Sequence, residues 1–208
     1  MIATGASDLV KKYVDGLKQA FYANGGKEEW DEFEGVKEGA SQENILKLKE
    51  LYPEIPDSLV EMLKYADGTY FREYRGVNIA LYFLGSDLEE YPYYLLSSGE
   101  MIKNQALAQE WYGDYINREF DPEDIPIDDK IIDDADKMKW LHFSDCMNNG
   151  GSSQLFIDFS PSEKGKNGQV VMFVHDSDYI EVIADSFDEY LEKMMNQQFD
   201  FIIDEYFG

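Results

Sequence analysis

Apolar positions along the chain first recur at helical spacing, then crowd into short β-rich runs, and repeat that sequence once more. Leu9, Val10, Tyr13, Val14, Leu17, Ala20 and Phe21 predict a helix over 7–23, capped by Ser7 or Asp8 and stopped by Asn24-Gly25-Gly26. Lys27 to Gly39 is polar and charged, with Trp30 and Phe33 as anchors onto a core. A short helix starts at Ser41, carries Ile45, Leu48 and Leu51 on one side, and ends at Pro53. Another begins near Pro56 or Asp57, with Ser58 and Glu61 at capping-box spacing and Gly68 as its end.

The period changes from Thr69 to Leu84, where aromatic and β-branched residues flank Gly76 and predict a hairpin. Residues 97–112 return to helix, starting at Ser97 or Ser98 and carrying Met101, Ile102, Leu107, Ala108 and Trp111. From Leu141 to Ala184, apolar runs separated by Asn, Gly, Ser and Asp clusters predict a meander of strands. Ser186 and Glu189 form a capping box for a final helix. Phe199, Ile202, Ile203 and Tyr206 then repeat at i, i+3, i+4 and i+7 and predict its continuation. The order predicts one α+β domain over 1–208, a mostly antiparallel sheet flanked by helices. It carries an N-terminal helical segment 1–40, an acidic insertion 117–139 and a C-terminal helical extension 197–208.

Charge sharpens this picture. Forty-three acidic residues against 18 basic ones leave a net charge of −25 over 208 residues, while 44% of the chain is hydrophobic. Such a chain folds around a core, repels nucleic acid and anionic membranes, and suits a basic protein partner or high solubility. Between Glu119 and Lys139 nine acids face three lysines, and Pro122 and Pro126 interrupt any regular element. That stretch reads as a solvated acidic loop or a partner-binding surface. The single Cys146 excludes an internal disulfide. With no apparent secretion signal and no long apolar run, the expected location is the cytoplasm.

Motifs for chemistry are missing. Gly150-Gly151-Ser152-Ser153 lacks the downstream glycine of a nucleophile elbow, and Gly165-Lys166-Asn167-Gly168 sits where a turn between strands is expected. Two histidines, His142 and His175, cannot build a three-histidine zinc centre. Calcium-loop registers starting at Asp121 or Asp176 fail at Pro126 and Phe187. No cofactor or metal is therefore expected, and no catalytic residue. A ligand groove lined by Tyr82, Tyr91, Tyr93 or Tyr94 is the enzymatic or small-ligand alternative.

Two blocks carry a family resemblance. The first is Leu51 to Gly68, LYPEIPDSLVEMLKYADG. The second supplies Asp145, Gly150-Gly151, Asp158, Pro161, Gly165, Gly168-Gln169-Val170-Val171, Ser186-Phe187 and Tyr190-Leu191 in order. Together they resemble the SUKH superfamily, which includes fungal cell-wall (glucan synthesis) assembly regulators and many bacterial immunity proteins. The resemblance implies a non-enzymatic α+β domain. It also implies an immunity protein that neutralises a toxin domain, often a nuclease, or alternatively a regulatory scaffold. An acidic inhibitor suits a basic nuclease site. The expected contact is Asp128, Asp129, Asp133, Asp134 and Asp136, with Trp140 as an aromatic anchor.

Overall fold

The computed structural model describes residues 3–86, 92–148 and 151–207. Four helices open the chain: α1 (Ala3–Ala23), α2 (Lys27–Val36), α3 (Gln42–Leu51) and α4 (Asp57–Tyr65). A hairpin of β1 (Arg72–Tyr74) and β2 (Val77–Ile79) follows. Its strands are three residues each, joined by Arg75 at φ 51° and Gly76 at φ 84°. Successive positive φ values define the hairpin turn whose twist matches its strands, and Gly76 meets that requirement without strain. Next come β3 (Tyr94–Leu95), α5 (Ser98–Lys103) and α6 (Leu107–Ile116). Strands β4 (Trp140–Asn148), β5 (Gly151–Asp158), β6 (Gln169–Val174) and β7 (Tyr179–Ala184) then lead into α7 (Phe187–Asn196). The strands β3-β4-β5-β6-β7 form one antiparallel sheet in chain order. The expected α+β class with an antiparallel meander is what the chain adopts.

Every residue of β6, QVVMFV, is buried. A strand buried on both faces needs an apolar cover on each side of its sheet. On one face Leu141, Phe143, Leu155, Ile157, Val170 and Met172 pack against the opening helices and α7. There Tyr13 and Leu17 of α1, Leu59 and Leu63 of α4, and Tyr190 and Leu191 of α7 are all buried. On the other face Trp140, Phe156, Val171, Phe173 and Ile180 pack against Ala108, Tyr112 and Ile116 of α6. Ile131 and Ala135 from the acidic stretch complete that second cluster.

Several elements differ from expectation, each for a packing reason. Residues 97–112 form two helices rather than one, broken at Asn104–Ala106. Met101 belongs to the first cluster while Ala108 and Tyr112 belong to the second, so the chain must cross from one face of the sheet to the other. Ser97 and Glu100 form a complete capping box for α5. By contrast α4 begins after Pro56 without a side-chain cap. Ser58 instead donates its hydroxyl to Asp188 in the first turn of α7. The C-terminal helical extension does not form. Gln198 and Phe199 both adopt φ 57°, the chain reverses, and only a 3-10 turn over Asp204–Phe207 follows. Phe199, Phe201 and Ile202 are all buried, and a helix would point Phe201 away from the other two. Gly16 admits this tail, since a Cβ there would lie 2.6 Å from the Phe199 ring.

Tyr112 holds α6 to the sheet, with its ring 4.4 Å from Phe173 and its hydroxyl donating to Gln154. Tyr112→Ala removes both contacts and leaves a hole, and is expected to lower unfolding free energy by about 3 kcal/mol, read by urea denaturation.

Candidate functional site

The stretch 117–139 is not a freely solvated loop. Ile127 bridges Ile180 in parallel, Ile180 N–H donates to the Pro126 carbonyl at 3.0 Å, and Asp128 N–H donates to the Ile180 carbonyl at 2.9 Å. These contacts lay the insertion along the exposed edge of β7 and cover part of it. Asp128 belongs to this attachment. Its carboxylate accepts from the Lys130 N–H at 2.9 Å and from the Val182 N–H at 3.3 Å.

The remaining predicted contact residues divide. Asp129 pairs with Lys164 at 2.6 Å and Asp134 with Lys137 at 2.6 Å. Those contacts raise both lysine pKa values, and the Lys137 bond holds the Asp134 carboxyl below its usual range. Asp133 and Asp136 are exposed. Asp129, Asp133 and Asp134 line a groove of about 680 Å³ together with Arg118, Lys137 and Lys164. Glu163 lines it as well, so four carboxylates meet three cations there and most of the local charge is balanced. Trp140 is no surface anchor. It is 2% exposed, with its ring 5.4 Å from Phe156 beneath the insertion.

Unpaired acidity lies earlier. Six carboxylates (Glu110, Asp114, Glu119, Asp121, Glu123 and Asp124) share residues 110–124 with one cation, Arg118. All six are exposed, and among the described residues none is in an ion pair. Arg118 directs its guanidinium to the carbonyls of Ile116 at 3.1 Å and Ile131 at 3.4 Å. The same surface exposes Trp111, expected in the sequence to face the core. Its neighbours explain the difference: Ala108, Tyr112 and Ile116 take the inward stripe of α6 at intervals of four, which turns position 111 outward.

The groups that resembled chemistry have structural tasks. Asp158 is fully buried and accepts from the Ser160 N–H at 2.7 Å, the Ser160 hydroxyl at 3.1 Å and Gln169 Nε2 at 2.9 Å. Burial pushes its carboxyl above the usual range against the pull of those donors. Gln169 also donates to the Lys130 carbonyl, so one network ties β5, β6 and the insertion. Gly165 completes it, because a Cβ there would come within 2.4 Å of the Lys130 oxygen. Asp67 accepts from Arg72 at 3.1 Å and from the Ser98 N–H at 2.7 Å. His142 is buried between Asn104 and the Ser144 carbonyl, each at 3.1 Å, and the tautomer with its proton on Nε2 satisfies both.

Tyr93 is buried, and Tyr82 and Tyr94 pack ring to ring at 4.9 Å; Tyr91 and Gly150 lie outside the described residues. Among the described residues no three His, Cys, Asp or Glu side chains are grouped to hold a metal ion. No helix there is long and apolar enough to cross a membrane. Asp158→Ala removes the shared acceptor of Ser160 and the buried Gln169 and is expected to lower stability by about 2 kcal/mol in urea titrations. Burial, aided by the Asp145 charge, pushes the Cys146 thiol up to about 12. A thiol reagent at neutral pH is therefore expected to label Cys146 only at the rate of unfolding, as read by mass spectrometry.

Both sequence blocks map onto this frame: Leu51 to Gly68 spans α4 and its flanks, and the second block spans β4 to α7. Among curated proteins no significant relative is found. The family model of the SMI1 / KNR4 family (SUKH-1) matches residues 39–193. With three quarters of its length matched, including the five-stranded sheet, α4, α6 and most of α7, the chain belongs to the SMI1 / KNR4 family (SUKH-1).

Proposed function

We propose that this chain is a cytoplasmic immunity protein without catalytic activity of its own, which binds and neutralises a basic toxin domain of the nuclease type. Family membership supports a SUKH scaffold, and bacterial members of the resembling superfamily are mostly thought to act in this way. The observation that carries the charge argument is the strip of six unpaired carboxylates over 110–124. A nuclease site is built to hold polyanionic phosphate and is usually basic. An unpaired acidic face is drawn to such a site over long range and occludes it on contact. The locally paired Asp129 and Asp134 contribute less, because Lys164 and Lys137 already answer them.

Co-expression tests this reading. Cells producing the C-terminal toxin domain encoded beside this gene are expected to survive with the chain and die without it. Death in both cases, with the chain stably expressed, would overturn the immunity reading in favour of a regulatory scaffold. Stopped-flow association should also slow as salt rises. Changing Asp121, Glu123 and Asp124 to amides is expected to reduce the association rate about tenfold. The same change at Asp129 and Asp134 should reduce it by less.

A further inference from the structure

We propose that the outward face of α6 and the turn after it, from Trp111 past Tyr115 to Phe120, docks a basic protein segment presenting an aliphatic side chain flanked by arginines or lysines. The partner's charge rests on the immunity reading; the location rests on geometry. Trp111 is 57% exposed and Phe120 46% exposed, although the apolar stripe of α6 had an interior to enter. Large aromatic surface grouped in water marks a contact surface. Phe120 packs edge-on against Tyr115 at 5.2 Å, and the Tyr115 hydroxyl donates to Asp178 at 2.8 Å, so the platform is held before a partner arrives.

Beside these rings lies a recess of about 150 Å³ lined by Tyr115, Arg118, Phe120, Pro122, Ile125 and Ile127. Its walls are apolar except for Arg118, whose guanidinium is turned to main-chain carbonyls. An aliphatic side chain therefore fits the recess. The acids choose its company. Glu110 and Asp114 share the outward side of α6 with Trp111, and Glu119 and Asp121 flank Phe120 in the chain. With no lysine paired to them among the described residues, a neutral or acidic partner would strip water from carboxylates and return nothing. Arginines would pair with them, and one over the Trp111 indole would gain cation–π attraction. The exposed Phe71 differs: it joins a row with Tyr70 and Tyr94, and Arg72 follows it directly in the chain, with Arg75 three positions further on.

Trp30 and Trp140 are buried, so Trp111 is an intrinsic reporter of this face. A helical peptide with a leucine stripe flanked by arginines is titrated into the full chain, following tryptophan emission and heat. Binding is expected with a blue shift. The Trp111→Ala/Phe120→Ala chain should bind at least about tenfold more weakly, as for a pair of hot-spot aromatics. Phe71→Ala should bind unchanged, and a peptide with glutamates for the arginines should not bind. Unchanged thermal unfolding of the double variant confirms that only the surface was altered. Equal affinity of the wild type and the double variant overturns the proposal, as does failure of the wild type to bind the arginine peptide. In the co-expression assay, wild-type protection by the double variant removes this face from the toxin contact and leaves the immunity reading intact. Peptide binding that depends on Trp111, in a chain that protects no cell, sinks the immunity reading and retains the docking face.

Discussion

A central strand that is apolar on both sides dictates this architecture. β6 buries all six of its residues, and a sheet built around it can expose neither face. Helix α7 answers one face, with Phe187 and Tyr190 against Phe143 of β4, and α1 and α4 pack beside it in the same cluster. Among the described residues, α6 and the acidic insertion cover the other face. A stretch carrying nine acids in twenty-one residues is thereby conscripted into a hydrophobic core through Ile127, Ile131, Ile132 and Ala135. Its carboxylates are left outside because each buried apolar residue turns the intervening positions outward.

That arrangement separates two kinds of acidity. Carboxylates next to the sheet are absorbed into the fold: Asp128 holds main-chain amides, Asp129 and Asp134 hold lysines, and Asp158 organises the turn between β5 and β6. Acids of α6 and of the turn following it are in no ion pair among the described residues, and a protein meeting this chain encounters their field first. Raw composition therefore misplaces the active charge. Nine acids between Glu119 and Lys139 drew attention to the whole insertion, yet in its second half Asp129 and Asp134 are paired with Lys164 and Lys137, and Asp128 is held by main-chain amides.

The two tryptophans show the same displacement. In the sequence, Trp111 sits in a helical apolar set and Trp140 sits at the end of an acidic run beside a strand. Folding exchanges their roles: Trp140 goes beneath the insertion and Trp111 goes to water. Helical phase decides the first case, because Ala108, Tyr112 and Ile116 already occupy the inward stripe. Strand alternation decides the second, since Leu141 faces one cluster and Trp140 must face the other. The segments outside residues 39–193 also meet across the fold: Phe199 lies on Gly16, and Phe207 is 5.2 Å from Phe21. These flanks extend the family core by packing on one another as well as on it.

What the sequence alone determined is what local periodicity and local capping can encode. The helix over 7–23, the helices starting at Ser41 and near Asp57, the hairpin about Gly76, the meander of strands and the Ser186 cap all follow from residues within a few positions of one another. The family blocks were legible for the same reason, because their Asp, Gly and Pro residues punctuate those elements. Only the tertiary structure decided the break between α5 and α6, the reversal after Asn196, the pairing of Asp129 and Asp134, and the exchange of the tryptophans. Each depends on which face of the sheet a residue meets or which distant lysine it reaches. Contacts between residues tens of positions apart leave no periodic trace in the chain.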